Sequence, residues 1–217
     1  MMAELKKIII VTNGESEADL NNQIYCLKPD HDIDLTKKGI NQSREAGKAL
    51  ENHLVPGDVS FLCSTHSRAK QTLEEILDQL NPTRNYNALY NPLLREQERG
   101  FYTKSFEHSL KCWNDQKRLG SFYYRFPDGE SGADVFIRAS LMMNNVLQGN
   151  FDSNLVIITH DFFARVFLMA WLGSIPESFE SLEKFDHGNI YVLKRTYFST
   201  AKYTLENRLK FTKEICE

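Results

Sequence analysis

Asn13, Arg68 and His160 are the residues of this 217-residue chain whose types and setting could do chemistry together. Each stands just past a short apolar run: Asn13 after Ile8-Ile9-Ile10-Val11, Arg68 after Val59-Ser60-Phe61-Leu62-Cys63, His160 after Leu155-Val156-Ile157-Ile158. An arginine offers a bidentate fork for phosphate or carboxylate oxygens. A neutral histidine imidazole can attack or carry a proton near its ordinary pKa. An asparagine amide donates and accepts hydrogen bonds, but its nitrogen lone pair is delocalised and is no phosphoryl acceptor. The set predicts an anion-binding pocket. Ser64 and Ser67 are the expected caps of the helix carrying Arg68, whose free N–H groups and dipole attract an anion. Asp161 repels an anion and is expected to pair with Arg68 or His160. His66 and His31 are histidines that could approach the pocket and serve as a nucleophile, while His53, His108 and His187 fall in segments read as surface. Taken singly, His160 reads as a packed strand-end histidine and Arg68 as a solvated helix residue; the joint pattern favours a pocket.

Those positions depend on alternating elements. Residues 6–12, 59–63, 155–159 and 189–193 read as strands, with a short one at 85–90. Thr36 caps a predicted helix to about Leu54, Ser67–Leu80 is a second, and Ser131-Gly132-Ala133-Asp134 opens a third as a capping box. Phe162–Leu172 is apolar nearly all round, which marks a buried helix. Residues 91–129 carry many aromatics and no clean period; they read as a cap-like insertion of loops and short helices. The alternation predicts one α/β domain over residues 1–217. Its central sheet is mostly parallel, with helices on both faces, and its ligand site lies beyond the carboxyl ends of the strands.

Composition narrows the function. Net charge is −3 with 41% hydrophobic residues, and no basic block stands out, so nucleic acid is not an expected partner. No apolar run reaches membrane-spanning length. The two lysines and short apolar run at the N-terminus do not make a secretory signal. Cys26, Cys63, Cys112 and Cys216 lack metal-ligand spacing, so reduced thiols in the cytoplasm, with no metal and no cofactor, are the expectation.

Val11-Thr12-Asn13-Gly14-Glu15-Ser16 resembles the Arg-His-Gly-Glu-Ser signature of the histidine phosphatase (phosphoglycerate mutase-like) superfamily. Ser64-Thr65-His66-Ser67-Arg68-Ala69-Lys70-Gln71-Thr72 is similar to its Ser-Pro-x-x-Arg-Ala-x-Gln-Thr segment. Leu94 to Gly100 is similar to Leu-x-Glu-x-x-x-Gly, Pro127 to Ser131 to Pro-x-Gly-Glu-Ser, and Thr159-His160-Asp161 to Ser-His-Gly. Leu35-Thr36-Lys37-Lys38-Gly39 matches Leu-Thr-x-x-Gly. The resemblance covers residues 6–195 in family order. It implies a phosphoglycerate mutase-like fold, Arg68 as a phosphate-binding arginine, Glu96 as proton donor to the leaving oxygen and His160 as the second catalytic histidine. Thr12 stands where the family has an arginine, Asn13 where it has the phosphorylated histidine, and Asp161 where it has glycine. Ser16 and His66 are expected to line the pocket. The resulting expectation is a pseudophosphatase keeping a partial phosphate pocket for a phosphorylated small molecule or a protein partner. The alternatives are an active phosphomonoesterase using His160, His66 or direct water attack, and an inactivated form of an active phosphatase.

Overall fold

The computed structural model describes residues 5–196, 203–207 and 209–210. Strand β1 (Lys7–Thr12) runs parallel to β4 (Asn154–Thr159) on one side and antiparallel to β5 (Ile190–Arg195) on the other. Strands β2 (Val59–Cys63), β3 (Tyr86–Tyr90) and β6 (Tyr203–Leu205) complete a six-stranded sheet in the order β3-β2-β4-β1-β5-β6. The expected mostly parallel sheet is present; β5 and β6 form its antiparallel side, and β6 had no sequence signal.

The run Ile8–Val11 is wholly buried because successive strand side chains face opposite ways and both faces are covered. Ile9 and Val11 pack with Leu50, Leu73 and Ile76, beneath helices α3 (Lys37–Glu51) and α4 (Ser67–Leu77). Ile8 and Ile10 pack with Val135, Met142, Phe163 and Phe167 beneath α6 (Gly132–Gln148) and α7 (Asp161–Leu172). Burying each such side chain stabilises the sheet by roughly 1.5–3 kcal/mol. That burial anchors the strand ends that carry the polar residues.

Local signals set several boundaries. Thr36 accepts from the Gly39 amide, and Ser131 forms its capping box with Asp134, as the sequence predicts. Helix α4 departs from expectation. Its N-cap is His66, without a side-chain cap bond, while Ser67 Oγ donates to Asp34 and Ser64 Oγ meets His160. Gly14 permits a close approach: a Cβ there would lie 2.2 Å from the Gly39 carbonyl oxygen. Two short helices, α1 (Glu17–Leu20) and α2 (Ile24–Leu27), follow β1. Within residues 91–129 one 14-residue helix, α5 (Phe106–Leu119), replaces the expected short pieces. Its Cys112 packs with Phe101, Phe126 and Cys26 in a small separate core. The thiols of Cys26, Cys63 and Cys112 are free and buried; Cys216 lies outside the described residues. Among the described residues, no helix is long and apolar enough to cross a membrane.

Candidate functional site

Hydrogen bonding continues past the strand ends. The Asn13 amide donates to the Thr159 carbonyl and the Ser64 amide to the Ile158 carbonyl, both at 2.9 Å. These bonds bring residues 13, 64 and 160 side by side at the carboxyl edge of the sheet. Beyond them lies a cavity of about 190 Å³. Of the residues expected there, Thr12, Asn13, Ser16, Arg68, Glu96 and Asp161 line it. Tyr25, Arg99, Lys184 and His187 line it as well, though sequence reasoning had not singled out the first three. His187, in a segment read as surface, is 36% exposed at its side chain, and its Nε2 lies 3.7 Å from Asp19 Oδ2. His31 is largely exposed and pairs with Asp32.

His66 and His160 do not line the cavity. Both are buried, with ring centroids 4.9 Å apart. His160 Nε2 is 2.8 Å from Ser64 Oγ, and its Nδ1 is buried without a hydrogen-bond partner. His66 Nδ1 is also buried without one, 3.9 Å from Asp30 Oδ2. Burial, aided by the Arg68 charge, pushes the His66 pKa down to about 3 and that of His160 well below 6.5. Both rings are therefore neutral at ordinary pH.

That neutrality ties stability to pH. Each folded pKa lies below the unfolded value near 6.5, so unfolding takes up protons as pH falls through and below 6.5. The contribution is full above 6.5 and is lost toward acid, down to about 3 for His66. Its slope reaches about 1.4 kcal/mol per pH unit for each ring. The urea midpoint should fall steadily from neutral to moderately acid pH, and less steeply in His66→Phe. Equal slopes in the two proteins would mean His66 does not titrate this way.

The remaining expected residues are held by specific partners. Arg68 Nη1 donates to the Asp30 carbonyl at 2.7 Å and lies 2.9 Å from Asp30 Oδ1. Burial opposes the Asp30 charge, but the Arg68 and Arg99 charges outweigh it and keep that carboxyl below its ordinary pKa. The Thr12 hydroxyl donates to the Asp186 carbonyl at 2.7 Å and accepts from the Asn189 amide at 3.0 Å, fastening the loop before β5. Asn13 Nδ2 donates to the Gly14 carbonyl. Ser16 joins Asp19 in a capping box at α1.

Asp161 pairs with neither Arg68 nor His160. It accepts from Arg165 through both oxygens, at 3.0 and 3.1 Å, and from the Phe185 amide at 2.7 Å. One helical turn separates Asp161 from Arg165, so the pair forms locally and answers much of the carboxylate's charge.

Glu96 is buried and accepts from the Gln97 amide at 2.8 Å. Burial raises its pKa, with Arg99 opposing. The loop carrying it is held by Arg138, which donates to the carbonyls of Leu93, Arg95 and Glu96 and to both Glu130 oxygens. An arginine within the apolar stripe of a helix was the sequence signal for this support. The cavity therefore sets Arg68, Arg99 and Lys184 against Asp19, Glu96 and Asp161. It can hold an oxyanion and lend or accept a proton at Glu96.

Comparison with known proteins agrees with this architecture. Residues 8–206 match the family described as the histidine phosphatase superfamily (branch 1). The chain is 34% identical over 206 residues to the phosphoglycerate mutase-like protein AT74 of Arabidopsis thaliana, covering 87% of this chain but only 65% of that relative. It is 23% identical to the broad-range acid phosphatase DET1 of Saccharomyces cerevisiae, covering 88% of this chain and 86% of that protein. The alpha-ribazole phosphatase of Shigella flexneri superposes with a TM-score of 0.69 at 17% identity, over 94% of this chain and 96% of that one. At that identity the likeness speaks for the fold alone. With the sheet, the strand-end cavity and a family match over most of its length, the chain belongs to the histidine phosphatase superfamily, branch 1.

Proposed function

We propose that this protein is a pseudophosphatase: it recognises a phosphorylated ligand in the strand-end cavity and does not transfer the phosphoryl group. The observation that carries this reading is Asn13 at the cavity wall where a nucleophile is needed, with His66 and His160 buried away from the cavity lining and His187, which does line it, turned to 3.7 Å from Asp19 Oδ2. Its amide cannot accept a phosphoryl group, and His160 Nε2 is engaged by Ser64. Arg68, Arg99 and Lys184 support retention of anion binding. A phosphorylated small molecule suits the cavity volume of about 190 Å³. The free buried thiols of Cys26, Cys63 and Cys112 fit a reducing, cytoplasmic setting.

The test is hydrolysis of an aryl phosphate from acid to neutral pH, with a search for acid-labile phosphoprotein. Neither turnover nor phosphoprotein is expected. Turnover abolished by Glu96→Gln would sink the reading and favour direct attack by water, a reading to which the likeness to an acid phosphatase lends weight.

A further inference from the structure

The cations of the cavity differ in how far their hydrogen bonds are already committed. Arg68 is turned onto Asp30, with Nη1 bonded to its carbonyl and close to its carboxylate. Lys184 is exposed at the rim. Arg99 is different. Its guanidinium carbon lies 5.0 Å from the centroid of the Tyr25 ring, and its Nη1 is buried without a hydrogen-bond partner. A buried guanidinium N–H with no acceptor is unfavourable, and an oxyanion entering the cavity would relieve it with a charge-assisted bond. Thr12 brings no charge to the end of β1, and its hydroxyl is fastened to the loop before β5.

We propose that Arg99 is the principal anion-holding residue of this cavity, gripping the phosphate of a phosphomonoester from the loop after β3 instead of from the end of β1. The proposal rests on the reading of the cavity as a phosphate pocket. It places the gripping cation on the wall that carries Glu96 and Tyr25. An anion drawn to that wall is gripped by an element other than the one that carries residue 13.

Two probes test this: inorganic phosphate, and phenylphosphonate, whose carbon–phosphorus bond resists hydrolysis. Binding is followed by tryptophan fluorescence, because the Trp113 ring packs edge-on to Tyr25 at 6.3 Å and to Phe101 at 5.0 Å. Arg99→Gln should weaken both probes by about ten- to a hundredfold. Arg99→Lys should weaken them by about tenfold, since a point charge replaces a fork. If the glutamine variant fails to fold, the lysine variant decides, with its thermal midpoint as the folding control. Unchanged affinity in the folded variants overturns the role of Arg99 while leaving the phosphate pocket standing. If neither probe binds the unaltered protein, the pocket reading and this inference both fall. Binding is read without turnover, so discovery of hydrolysis would remove the pseudophosphatase reading and leave the Arg99 result to stand by itself.

Discussion

Changing Thr12 to Arg together with Asn13 to His should create measurable phosphomonoesterase activity. The double change supplies a nucleophilic imidazole and a fixed cation at the end of β1, where the backbone is already held by the bond from the Asn13 amide to Thr159. Glu96 remains at the cavity with a pKa raised mainly by burial, which suits it to protonate a leaving oxygen. Arg68 remains in the cavity lining. Removing one stabilising donor from an active site typically lowers a rate by about 10²–10³-fold. Restoring both groups should therefore lift aryl phosphate hydrolysis at least about 10²-fold above the unaltered protein. Losing the Thr12 hydroxyl bonds to Asp186 and Asn189 should cost about 1–3 kcal/mol in all, so the variant is expected to fold with a lower midpoint.

Asp161 needs no correction in that design, because Arg165 and the Phe185 amide already occupy its oxygens. Adding Asp161→Gly should lower stability without raising the rate, since Arg165, 8% exposed at its side chain, would lose its carboxylate partner. Initial rates and an acid-labile phosphoprotein assay decide the matter. A folded double variant with no turnover would show that the retained groups are not arranged for catalysis.

Arg138→Leu should be among the most damaging single changes in the protein. The side chain is 7% exposed and donates to three carbonyls and both Glu130 oxygens. Its loss leaves Glu130 with Arg95 as its remaining cation, and takes the guanidinium donor from the Leu93, Arg95 and Glu96 carbonyls. Removing one partner of a buried pair costs about 3–5 kcal/mol. The denaturant midpoint should fall accordingly. Adding Glu130→Gln should recover part of the loss, because the stranded charge is then gone. In the Thr12→Arg/Asn13→His background, Arg138→Lys should fold better than Arg138→Leu and still reduce the rate. The lysine cannot bridge three carbonyls and so positions Glu96 less firmly. An unchanged midpoint in Arg138→Leu would refute the role assigned to this residue.

Short-range signals made much of the fold legible in the sequence. The β-branched run Ile8–Val11 and the apolar run Leu155–Ile158 read as buried strands and are, and Thr36 and Ser131 mark helix starts by local hydrogen bonding. The same runs located Asn13, Arg68 and His160 at one edge, because residues that follow parallel strands end on one side of a sheet. What local pattern could not decide was partnership across long separations. Arg68 turns to Asp30 across 38 positions, and Thr12 is fastened to Asp186 across 174. Asp161 had a nearer cation than those expected for it, one turn along its own helix. Arg99 and Tyr25 carry no motif of their own and enter the cavity only through the packing of their loops. The sequence by itself determined the α/β frame, the sheet edge to which residues 13, 68 and 160 come, and the amide side chain at residue 13. Tertiary structure alone decided which charges are already answered and which face the cavity, because pairing and burial depend on distances that residue order does not contain.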